Sequence, residues 1–112
     1  MKLYIAILDE FPDYMTPTLV AHAVLSAHEI HKQDPRYQKW WSTSYRKCVV
    51  RVNQKEFDQI ARLPHTCQTY EKTCLDARMA CAIPVPVENE DLPNVLKFAK
   101  LWKPKPDAEP NL

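Results

Sequence analysis

The chain of 112 residues contains no glycine. That absence removes the Walker loop and the glycine-rich dinucleotide fingerprint, because both need glycine where backbone closes on phosphate. Helix ends and tight turns must use Asn, Asp or wider loops. Ten prolines are present to punctuate the chain instead. Neither sign of charge is in excess: the formal net charge is +1. Such a balance gives no general pull toward nucleic acid or membrane, so a nucleic-acid role needs a local basic patch. No apolar run approaches the roughly 18 residues of a membrane span. The opening MKLYIAILDE meets an acidic break too early for a secretory signal, so a cytoplasmic protein without membrane contact is expected. The cysteines are Cys48, Cys67, Cys74 and Cys81, and no pair has the CxxC spacing of a zinc knuckle. Buried or free thiols are the expectation, with no metal, disulfide or cofactor.

What is present is best ordered over residues 2–30. Lys2–Leu8 is apolar, partly β-branched and short enough for a buried strand. Residues 9–17 hold two prolines, two aspartates and a glutamate, and should leave the sheet as a loop. Thr16 is expected as a helix N-cap, with Pro17 at the first helical position. Leu19, Val20, Ala23, Val24, Ala27 and Ile30 then recur at helical spacing as one apolar stripe. In open α/β sheets ligands gather where a strand ends and a helix begins, so residues 9–18 are the first place to expect a site.

Farther along, Asp34 should cap a short helix opened by Pro35. Residues 45–52 read as a second strand. Asn53 and Glu56 have capping-box spacing before a helix whose apolar face is Phe57, Ile60, Ala61 and Leu63, stopped by Pro64. Residues 65–70 suit a polar edge strand, 71–78 a loop, and 79–85 a fourth strand, with Pro84 at its end or at a sheet edge. Asp91 is expected to cap a last helix carrying Leu92, Val95, Leu96, Ala99 and Trp102. Residues 103–112, rich in proline and charge, should be a disordered tail on a single domain of residues 1–102. The order β-α-(α)-β-α-β-β-α predicts an α/β domain with a mixed four-stranded sheet packed with helices.

Several side chains offer chemistry. His22 lies about one turn into the first helix, near the mouth of the 9–18 loop. It can serve there as a general base or orient a substrate, or simply flank the apolar stripe. Asp9, Glu10 and Asp13 cluster in the loop, and Glu71 follows the third strand. His28 and His31 share a helix face, but no third ligand accompanies them. Lys32, Arg36, Lys39 and Arg46 surround Tyr37, Trp40 and Trp41, a combination that suits a nucleic-acid platform, unless the tryptophans pack on the sheet. No Ser-x-x-Lys or Gly-x-Ser-x-Gly element occurs. The residues alone lead to a cleft and no reaction.

Taken in order, KLYIAILDE, TPTLVAHAVLSAHE, YRKCVVRVNQKEFDQI and RMACAIPVPVENEDLPNVLKFAKLW resemble the strands and helices of the type 2 peptidyl-tRNA hydrolase fold family. The third stretch matches best, and the compact texture is similar to that of a small phage-encoded relative. The resemblance implies hydrolysis of the ester between a peptide and the terminal ribose of tRNA, with a basic surface for the tRNA backbone. It puts the family's helix glutamine at His22, its acidic residue at Glu71, its key lysine at Thr18 and its threonine at Thr73. Threonine cannot supply the lysine's cation, and the family's Asp-Ala-Gly-Arg-Thr-Gln run is absent. Two functions follow. One is a divergent hydrolase using His22, Asp9, Glu71 and Thr18, with Lys39, Trp40, Arg46 and Thr73 holding the substrate. The other is an inactive relative that binds tRNA or a protein partner, for example a phage-encoded inhibitor.

Overall fold

The computed structural model describes residues 1–64, 66–70 and 80–106. Its centre is β1 (Lys2–Leu8), in which residues 3–8 are all buried. A strand covered on one face alternates between buried and exposed, so this unbroken run requires cover on both faces. Strand β2 (Lys47–Val52) runs parallel to β1, from Leu3 opposite Lys47 to Leu8 opposite Val52. The crossover between them is a short 3-10 turn (Asp13–Met15), α1 (Thr16–His31) and α2 (Pro35–Ser42). After β2 come α3 (Gln54–Ala61), β3 (Thr69–Tyr70), β4 (Ala80–Val87), a 3-10 turn (Asn89–Asp91), α4 (Asn94–Lys97) and β5 (Lys100–Leu101). The strands lie in the order β3-β4-β1-β2-β5, with β4 antiparallel to β1 and β3, and β5 antiparallel to β2. This is an α/β fold with a mixed sheet.

Helix α1 buries Leu19, Ala23 and Ala27 and packs on β4, β1 and β3. Helix α3 buries Phe57 and Ile60 against β1, β2 and β4. Its start is the capping box that the sequence predicts: Asn53 accepts from the Glu56 amide at 2.8 Å, and Glu56 accepts from the Asn53 amide at 2.9 Å. Asp34 likewise caps α2, accepting from the Arg36 amide at 2.8 Å.

The described residues form five strands rather than the expected four, and the difference lies at the end of the chain. The predicted last helix is a single turn. Pro93 keeps Leu92 extended, because the residue before a proline avoids helical backbone, so Asp91 caps no helix. Residues 100–101 then pair with the open edge of β2, and the Trp102 amide donates to the Val49 carbonyl at 2.9 Å. Strand β4 also runs on through Pro84 to Val87. Pro84 and Pro86 lie opposite Ile5 and Leu3, two residues apart, so both nitrogens point to the same side of the strand. That side is the one facing β3, which pairs with β4 only at Ala80 and Ala82. Neither proline therefore removes a ladder bond to β1. At the front of α1 the helix begins one residue before its expected start: Met15 is the N-cap and Thr16 is already helical and buried. Residue 65, the predicted 71–78 loop with Glu71 and Thr73, and residues 107–112 lie outside the described residues.

Candidate functional site

At the carboxyl ends of β1 and β2, Arg51 gathers the 9–18 loop and the end of the described chain. Its guanidinium donates to Asp9 Oδ1 at 2.9 Å, to Asp13 Oδ1 and Oδ2 at 2.9 and 3.0 Å, and to the Lys103 carbonyl at 2.5 Å. Lys105 closes the ring, its amide donating to Asp13 at 2.7 Å and its ammonium lying 3.2 Å from Asp9. The guanidinium stacks over the Trp102 ring, 5.1 Å from its centroid. Burial alone raises the Asp9 carboxyl, but hydrogen bonds from Arg51 and Lys105 outweigh it and hold the group below its ordinary value. Asp13 is also lowered, first by Arg51 and then by the Lys105 amide. The cluster is a clasp of satisfied charges. Residues 103–105, predicted within a disordered tail, contribute three of its contacts. The sequence signal for it was available in part: Arg51 is a lone charge inside the apolar run CVVRV, just before a strand end.

His22 sits elsewhere. It lines a shallow, open depression with Leu25, Ser26, Gln68, Thr69 and Tyr70, on the β3 side of the sheet. Strand β3 lies three positions from β2, about 14 Å in the hydrogen-bonding direction. The imidazole and the Asp9 carboxylate thus have different neighbours. Thr18 is exposed on the first turn of α1. Cys67, a conceivable nucleophile beside His22, is half-buried, and burial pushes its thiol up, away from the reactive thiolate.

The third group is aromatic. On α2 and the following loop, Tyr37 and Trp40 are buried, whereas Trp41 and Tyr45 are 46% and 45% exposed. Trp40 is committed to the fold: its indole N–H donates to the Arg46 carbonyl at 2.8 Å. The ring open to solvent is Trp41, which lies 4.7 Å from the His28 ring and 5.2 Å, edge-on, from Tyr45. Lys47 sits over the Tyr45 face, 3.2 Å from its centroid. Lys39 and Arg46, next to Trp40 and Tyr45 in the chain, are exposed. Tyr45 has φ of +54°, a left-handed conformation that glycine or asparagine would normally take. In a chain without glycine this turn is made by a tyrosine, whose amide bonds the Trp40 carbonyl at 2.8 Å.

Among the described residues no helix is long and apolar enough to cross a membrane. No known protein family matches the chain, and no curated protein matches it.

Proposed function

We propose that this chain is a tRNA-binding module, which stacks an unpaired base on Trp41 and Tyr45 and holds neighbouring phosphates with Lys39, Arg46 and Lys47. The observation that carries this reading is the near-half exposure of two adjoining aromatic rings inside a basic stretch of a near-neutral chain. Residues 32–47 hold five lysines and arginines against one carboxylate, Asp34. An apolar core requires neither the exposed rings nor the cations. Stacking on such rings contributes about 1–3 kcal/mol per base, and phosphate contacts make the affinity fall with salt. The choice of tRNA rests on the resemblance to the type 2 hydrolases, and with it comes a cytoplasmic place of work. The rings and cations by themselves suit any single-stranded nucleic acid.

The test is fluorescence anisotropy of labelled, uncharged tRNA with the purified chain at about 50 and about 200 mM salt. Binding at low salt that weakens at high salt is expected. Trp41→Ala should weaken it about 5- to 100-fold in a chain that still folds, with about 0.5–1.5 kcal/mol of stability lost along with the contacts to His28 and Tyr45. Absence of binding at low salt would overturn the proposal.

A second reading, ester hydrolysis, is favoured by the placement of His22 in an open depression beside Ser26 and Thr69. There His22 would activate water, with Glu71 and Thr73 completing the site as the resemblance implies. Release of N-acetyl-aminoacyl groups from charged tRNA, lost in His22→Ala, supports it. No turnover in a preparation that still binds tRNA excludes it.

A further inference from the structure

At the amino ends of the strands a cleft of about 210 Å³ opens between the start of β1, the end of β4 and the start of α2. One wall is apolar and stiff: Leu63, Pro64, Val85, Pro86 and Pro93. Proline fixes its own φ, so this wall has little freedom left to lose when something binds. The rim is charged, with carboxylates Asp34, Glu88 and Asp91 around the Arg36 guanidinium. Asp34 pairs with Arg36 at 3.2 Å, and Glu88 with the Met1 amino group at 3.4 Å. Arg36 is held charged first by Asp34 and more weakly by Glu88 and Asp91, so all three acids act on the same space. Asp91 has no ion-pair partner among the described residues, whereas Asp34 and Glu88 are each paired; the His31 ring also lines the cleft.

Size narrows the ligand further. A cavity of about 150 Å³ takes a benzene molecule, so this volume suits one six-membered ring with a short chain. We infer that the cleft binds a small organic ammonium ion, its ring against Val85 and the prolines and its charged nitrogen at Asp91. A neutral aromatic would leave Asp91 to water, and an aromatic anion would meet three carboxylates. This site is independent of the nucleic-acid proposal, because Trp41 and Tyr45 do not line it.

The experiment titrates phenethylammonium, phenethyl alcohol and phenylacetate into the isotope-labelled full chain, and follows the Val85 and Val87 methyl resonances. Phenethylammonium should move them saturably, the alcohol should bind more weakly, and the anion weakest of all. Asp91→Asn, a change at an exposed side chain, should weaken the ammonium about two- to fivefold and leave the alcohol unchanged. Equal binding of alcohol and ammonium would overturn the inference. So would ammonium binding that is insensitive to Asp91→Asn, or shifts confined to residues outside the cleft.

Discussion

Where β1 and β2 end, Arg51 gathers Asp9, Asp13 and the Lys103 carbonyl; where they begin, Tyr37, Trp40, Trp41 and Tyr45 gather around one another. Both clusters close an end of the same pair of parallel strands, and both tie distant stretches of chain together. Their physics differs. The clasp depends on charge, and so on pH and on salt at its exposed members. The aromatic cluster depends on buried area and ring packing, which neither variable alters much. The clasp also fills the crevice at the carboxyl ends of parallel strands, where an α/β sheet most often receives a ligand. The exposed rings and the acidic cleft lie at the opposite end.

The contrast is tested most severely by Trp40→Ala. It removes a ring that is 2% exposed together with its bond to the Arg46 carbonyl. A loss of about 3–5 kcal/mol in urea unfolding is expected, the same at pH 4 and at pH 7. A loss that depended strongly on pH would mean that charge, not packing, governs the amino end as well.

Next in size is Arg51→Met, which keeps an apolar stem and removes the guanidinium together with its stacking over Trp102. The Arg51 side chain is 14% exposed and its departure leaves two facing carboxylates, so about 2–3 kcal/mol should be lost at neutral pH. Acid should narrow the gap between variant and parent. Asp9 and Asp13 have lowered values in the folded chain, so the unfolded chain binds protons more readily. Their contribution is fully present above the unfolded carboxylate value of about 4 and is lost as pH falls below it through the folded values. Asp13→Asn should flatten the acid limb of the stability curve by about 1 kcal/mol. An acid limb of unchanged slope in Asp13→Asn would sink the assignment of the clasp as the pH-sensitive end.

Much of the frame was legible in the sequence, for local reasons. The capping box at Asn53 and Glu56 and the Asp34-Pro35 helix start are short-range signals and form as read; of the α1 stripe Leu19, Ala23 and Ala27 are buried, Val20 and Val24 partly so, and Ile30 is exposed. The misreadings are long-range. Leu92, Val95, Leu96 and Ala99 keep helical spacing, but Pro93 and the free edge of β2 make extended backbone the better use of residues 100–101. For Pro84 the sequence left a strand end and a sheet edge both open, because it does not reveal which side of β4 lacks a partner; β4 runs on to Val87, and the proline nitrogen lies on the side where β3 no longer pairs. At the candidate sites, residue type pointed to the α2 aromatics, but only packing separates the buried Trp40 from the exposed Trp41. Asp9 was singled out as a possible catalytic acid. Its commitment to Arg51, 42 positions away, has no local signature.

The smallest effect sharpens the comparison most, because it asks why a tyrosine occupies a left-handed turn. Holding a bulky residue there costs about 1–3 kcal/mol, and Tyr45→Asn should recover part of it, since asparagine tolerates that conformation. The same change removes the ring contacts with Trp40 and Trp41 and the ammonium of Lys47 from the ring face. Aromatic pairs contribute about 0.5–1.5 kcal/mol beyond area, and an exposed cation–π contact about 0.5–1. Relief and loss nearly cancel, so the unfolding free energy should change by less than about 1 kcal/mol. Nucleic-acid affinity has no such compensation and should fall along with the exposed ring. A variant equally stable but weaker in tRNA binding identifies Tyr45 as a residue kept in strain for its ligand. A drop in stability above about 2 kcal/mol with binding intact would instead make the ring part of the amino-end core.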